Sequence, residues 1–159
     1  MTGTEKWQKL AIALRELHRT LMECARRDYE REHEVVLSPL EQLRLLTSDE
    51  YFDWLHRLSE LIVDIDVVCD AEPPELAEIV PAVRSAVEHF IGAAPVPPES
   101  GDAFAQHYWS YLQNDPDVVI AHRDVKRALE FWPRSQKTDA ANTPMISPIC
   151  IRHGVPPRM

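Results

Sequence analysis

The chain reads as an all-α helical bundle of five to six helices, with four long or medium helices forming the core. Three observations predict this. Apolar residues recur at three- and four-residue steps through most of the chain, the period of a helix buried along one face. Glycine is scarce, with 4 in 159 residues, which argues against hairpin-dense β folds and glycine-rich phosphate loops. The 13 prolines gather at 73–74, 95–98 and beyond residue 132, so they punctuate the chain. The organisation expected is one bundle domain over 1–133 and a disordered tail over 134–159.

The first helix is predicted from about Thr4 to Glu32. Trp7, Leu10, Leu14, Leu17, Leu21, Cys24 and Ala25 share one face. Val35, Val36 and Leu37 form a brief apolar connector. Ser38-Pro39-Leu40-Glu41 is a capping box with proline at the first helical position, and it opens a short second helix to about Leu46. Thr47-Ser48-Asp49-Glu50 repeats the device, with Leu46 and Tyr51 at hydrophobic-staple spacing. It predicts a third helix over about 48–70.

Pro73-Pro74-Glu75 starts a fourth helix that ends near Gly92. Pro81 lies inside it and predicts a kink or break, because proline cannot donate to the carbonyl four residues back. Residues 93–100 read as a stiff linker. A fifth helix spans about 102–113. Asp115 as N-cap and Pro116 in the first turn begin a sixth, which ends at Trp132-Pro133. In the tail, residues 145–151 form the one apolar patch.

The net charge is −9, and the 17 Lys and Arg form no long run. Nucleic acid and anionic membrane surfaces are therefore excluded as expected partners. No stretch of about 18 apolar residues predicts a membrane span. Three cysteines, Cys24, Cys69 and Cys150, are odd in number and widely spaced, with no zinc pattern. A reduced, cytoplasmic protein is expected.

Chemistry is sought where polar residues fall on apolar faces. At 100° per residue, Asp66 lies among Phe52, Leu55 and Ile62 on the third helix, while Asp53, Glu60 and Asp64 fall opposite. Asp28 shares the line of Leu10, Leu14 and Leu21. His122 stands in the middle of the Val118, Val125, Leu129 and Trp132 stripe. Buried charges need partners, so Asp28, Asp66 and His122 are the polar-core candidates. Glu30-x-x-His33 and Asp53-x-x-His56 have the spacing of helical metal motifs, but no third or fourth ligand helix follows in register, and no metal or other cofactor is expected. There is no G-x-S-x-G, no phosphate-binding loop and no H-E-x-x-H. On the sixth helix Ile120 and Phe131 lie opposite the core stripe, and with Trp109 they are the interface candidates.

Asp28-Tyr29-Glu30-Arg31, Ser38-Pro39, Leu43 to Thr47, Phe52-x-Trp54-Leu55 and Leu58-Ser59-Glu60-Leu61-Ile62-Val63-x-Ile65-Asp66 together resemble a family of small bacterial helical proteins of uncharacterised function. The likeness covers about a third of the chain. His56-Arg57 depart from it, standing where an Arg-Pro pair would be expected. The resemblance implies an all-α fold and a bacterial cytoplasmic origin, with no activity or ligand to carry over.

The function expected from the residues is a non-enzymatic bundle that binds another protein or a second copy of itself, most simply as a homodimer. The alternative is a bundle whose Asp28, Asp66 and His122 converge on a metal ion or small molecule. Their mutual distance separates the two.

Overall fold

The computed structural model describes residues 3–69, 73–92 and 100–132. The expected tail and most of the expected 93–100 linker lie outside these residues. The fold is all-α. Among the described residues there are six α-helices, α1 (Gly3–His33), α2 (Pro39–Ser48), α3 (His56–Cys69), α4 (Pro73–Ile91), α5 (Ala103–Asn114) and α6 (Pro116–Glu130), with a 3-10 helix (Glu50–Leu55) between α2 and α3.

The 31-residue α1 is the axis of the bundle. Leu10, Leu14, Leu17 and Leu21 are fully buried along it. α6 runs antiparallel to α1: the Trp7 and Trp132 rings meet edge-to-face at 4.4 Å, and Cys24 reaches Asp115 at the other end. α3 is antiparallel to α1 on another side, since His18 meets Ser59 and Arg15 meets Asp66. Phe52, Leu55, Phe104, Tyr108, Val118 and Val125 close the core between them.

The caps explain most element starts. The Ser38–Glu41 box forms in both directions: the Ser38 amide donates to Glu41 at 2.9 Å and the Glu41 amide to Ser38 Oγ at 3.3 Å. Asp102 and Asp115 cap α5 and α6 by accepting from Ala105 and Asp117. The second predicted start differs. α2 runs on to Ser48, and the Thr47 and Ser48 hydroxyls donate back to the Leu43 and Arg44 carbonyls instead of forward. Asp49 is the cap, and the next six residues wind as the 3-10 helix before α3 begins. The predicted third helix is thus two elements.

α4 runs unbroken through Pro81. No glycine among the described residues has positive φ, so Gly92 does not end α4 in a left-handed turn. A Cβ there would lie 2.7 Å from the Glu88 carbonyl oxygen, and this close approach is what calls for glycine. The left-handed turn occurs after α1 instead, at Glu34 with φ 53°. There the Val35 amide donates to the Glu30 carbonyl at 3.0 Å, the 6→1 bond of a Schellman motif. No helix among the described residues is long and apolar enough to cross a membrane.

Candidate functional site

The three polar-core candidates go to three places. Asp28 accepts from the Tyr111 hydroxyl of α5 and from Arg31, each at 2.6 Å. Burial and the Asp28 carboxylate hold the Tyr111 hydroxyl far above its ordinary pKa, so it remains the donor. Asp66 pairs with Arg15 across the α1–α3 seam, but with 41% of its side chain exposed it is not a core group. The buried carboxylate of α3 is Asp64, at 4% exposure. His122 is half-buried and meets the Tyr108 hydroxyl through Nδ1. Asp28, Asp66 and His122 have no partner in common and do not converge.

The metal-like spacings are used structurally. Glu30 accepts from Arg26 and from the Leu37 amide, each at 2.8 Å, and so holds the α1–α2 connector. His33 donates to the Tyr29 carbonyl and His56 to the Leu46 carbonyl, both at 2.9 Å. No group of three metal-ligating side chains occurs among the described residues.

Near the start of α6, Arg27 donates to Asp115 at 2.8 Å and the Cys24 thiol to the same carboxylate at 3.3 Å. Burial, joined by the Asp115 contact and opposed by Arg27, pushes the thiol up to about 11. Cys24 is therefore a packed, unreactive thiol.

A cleft of about 610 Å³ opens between α4, α5 and α6. Trp109, His122, Lys126 and Trp132 line it, with Arg84 and Glu88 on the α4 side. Arg84 is 7% exposed. It donates to the Leu129 carbonyl at 2.6 Å, to the Trp132 carbonyl at 2.5 Å and to Glu88 at 2.8 Å. Burial, and less so Lys126, holds His122 below the ordinary histidine pKa. Neither Arg84 nor Lys126 stood out in the sequence. Lys126 could have been found as the residue one turn beyond His122.

The interface candidates divide. Ile120 and Phe131 are about half exposed, whereas Trp109 is half-buried in the cleft, away from them. Ile120 instead lines a groove between α1 and α6 with Glu16, Glu23, Asp117 and Asp124. Phe131 follows Ile120 by eleven positions, about 16 Å along the helix axis, with Asp124 and Arg127 on the face between them. The Phe131 ring lies beneath Lys9 at 5.6 Å. Ile120 and Phe131 are thus two isolated apolar residues on a charged face.

A larger exposed apolar set stands at the α1–α2 corner. α2 has no buried residue. Leu45 and Leu46 pack partly against the core, but Leu40 and Leu43 point outward at 59% and 58% exposure, preceded by Val36 at 90%. Leu40 and Leu43 are three apart and share a face. The sequence signal was the Val35-Val36-Leu37 connector leading into a short helix with leucines on two sides.

Comparison with protein-family models, with curated proteins and with solved structures finds no match to this chain.

Proposed function

We propose that this chain is a non-enzymatic helical bundle that associates with a second copy of itself through the α1–α2 corner. One observation carries the reading: a whole helix contributes no buried residue and turns two leucines to solvent. A short amphipathic helix ordinarily turns such residues inward. Contiguous exposed apolar side chains mark contact surfaces more often than scattered ones do. Glu41 and Arg44 flank the leucines with opposite charges. A two-fold axis at α2 would set each against its opposite in the other copy, and two-fold pairing is the commonest closed assembly. The divergence of Asp28, Asp66 and His122 takes support away from a shared internal metal or acid–base site, and the reading includes no catalytic step.

The setting we propose is the bacterial cytoplasm. The free, buried Cys24 thiol and the family resemblance support it. The net charge of −9 weighs against nucleic acid as a partner.

Native mass by sedimentation tests the proposal. The expected result is a dimer that Leu40→Glu with Leu43→Glu dissociates and Ile120→Glu with Phe131→Glu leaves intact. The reverse pattern would move the interface to α6. A wild type that stays monomeric at high micromolar concentration ends the self-association reading.

A further inference from the structure

The α4–α5–α6 cleft is more polar than a packing gap in a helical bundle needs to be. Its volume, about 610 Å³, falls within the range of small-molecule sites. Its lining combines two indoles, a histidine, two cations and two carboxylates, Glu88 and Glu130. Part of this set is already committed. Arg84 is occupied by two main-chain carbonyls and by Glu88. Trp132 is 4% exposed against Trp7 and serves as wall.

His122, Lys126 and Trp109 remain to meet a ligand. The Tyr108 hydroxyl is buried, which raises its pKa and keeps it protonated, so it donates to His122 Nδ1. A neutral imidazole that accepts at Nδ1 carries its proton at Nε2 and has one donor left. Lys126 stands one turn along the same face, exposed, and forms no ion pair among the described residues. Trp109 is half-buried, with its ring centroid 6.5 Å from that of His122. Two adjacent donors, one of them cationic, beside an aromatic face match a carboxylate attached to a flat apolar body. Glu130 in the lining, unlike Glu88, which Arg84 neutralises, favours a ligand with a single negative charge, since a second would meet like charge.

We infer that this cleft binds a small organic monoacid, its carboxylate held by Lys126 Nζ and the His122 imidazole and its aromatic or apolar body lying against Trp109. The site is independent of the α2 corner, and its occupancy does not require self-association.

Calorimetric titration of the full chain with 2-naphthoate, and separately with 2-naphthamide, tests the inference. The acid is expected to saturate at one equivalent per chain and to bind about tenfold more tightly than the amide, the value of one charge-assisted hydrogen bond. Lys126→Gln should remove that difference by weakening the acid alone. Arg127→Gln, one residue along but outside the cleft lining, should leave both affinities unchanged. Equal binding of acid and amide overturns the inference. So do equal losses from Lys126→Gln and Arg127→Gln, which would reflect general charge attraction, and so does the absence of saturation at millimolar acid.

Discussion

Arg84 closes the end of α6 through the main chain of Leu129, donating to its carbonyl at 2.6 Å. The last carbonyls of a helix have no partner within it, and a guanidinium offers them both donors and favourable charge. Arg84 thereby joins α4 to α6, and its second carbonyl partner, Trp132, ties down the residues that follow α6. Arg84→Met is expected to lower stability by about 1–3 kcal/mol, because it strands the buried Trp132 carbonyl and takes one donor from the Leu129 carbonyl, which keeps the Trp132 amide. Arg84→Lys, a point charge without the fork, should fall between the two. Urea denaturation measures both. An Arg84→Met protein as stable as the parent would remove Arg84 from this role.

Glu34 occupies the left-handed position after α1 that glycine fills at little cost. Glu34→Gly should therefore stabilise the protein by about 0.5–1 kcal/mol, read as an upward shift of the thermal midpoint. A loss of stability would mean that the Glu34 side chain contributes more than its backbone strain costs.

Asp66 is paired and partly exposed. Its ion pair with Arg15 is of the exposed kind, so Asp66→Ala should cost less than about 1 kcal/mol. A loss of about 3 kcal/mol, the range for breaking a buried pair, would show that Arg15 and Asp66 are desolvated together.

Three histidines give the protein a pH dependence of definite sign. Burial lowers the pKa of His18, His107 and His122, helped by His56 at His18 and by Lys126 at His122, and opposed by Asp28 at His107. A histidine with a lower pKa folded than unfolded takes up its proton more readily in the unfolded chain. Its contribution is whole above the unfolded value, near 6.5, and is lost as pH falls below it. The urea midpoint should thus drop between pH 7.5 and 5.5, and His122→Gln should make the drop smaller. The carboxylates held low, such as Glu16 by Arg19 and Glu23 by Arg26, act at lower pH and leave this window to the histidines. A flat midpoint from pH 7.5 to 5.5 would refute the assignment.

Short-range signals were legible in the sequence wherever the chemistry is local. Ser38-Pro39-Leu40-Glu41 and Asp115-Pro116 mark real helix starts, because a cap is decided within four residues. The Leu10–Leu21 stripe and the Val118–Trp132 stripe are buried as their period required, with His122 only half-covered in the second. The exchange of Asp66 for Asp64 has one cause. Glu50–Leu55 winds at about 120° per residue, not 100°, so by α3 an α-helical count that begins at Phe52 is out of phase by several tens of degrees. Anchored on Leu58, Leu61, Ile65 and Val68, all buried in α3, the arc moves away from Asp66 and toward Asp64. The Arg84 contacts had no sequence signal, since they join residues more than 40 positions apart through the main chain; of the cleft, His122 and Trp109 stood out in the sequence, but not that they share it.

The antiparallel pairing of α1 with α6 also sets an order of events during synthesis. Cys24 and its partner Asp115 are 91 residues apart. At ribosomal speeds that separation is an interval of roughly 5–20 s. For that time the leucines of α1 that face α6 have no α6 to cover them, while the 3-10 helix, α3 and α5 can pack on the other sides of α1 sooner. The nascent chain therefore presents a long greasy ridge before its last partner exists. The bundle's exposure to chaperones, and to neighbouring ribosomes on the same message, is concentrated in that interval.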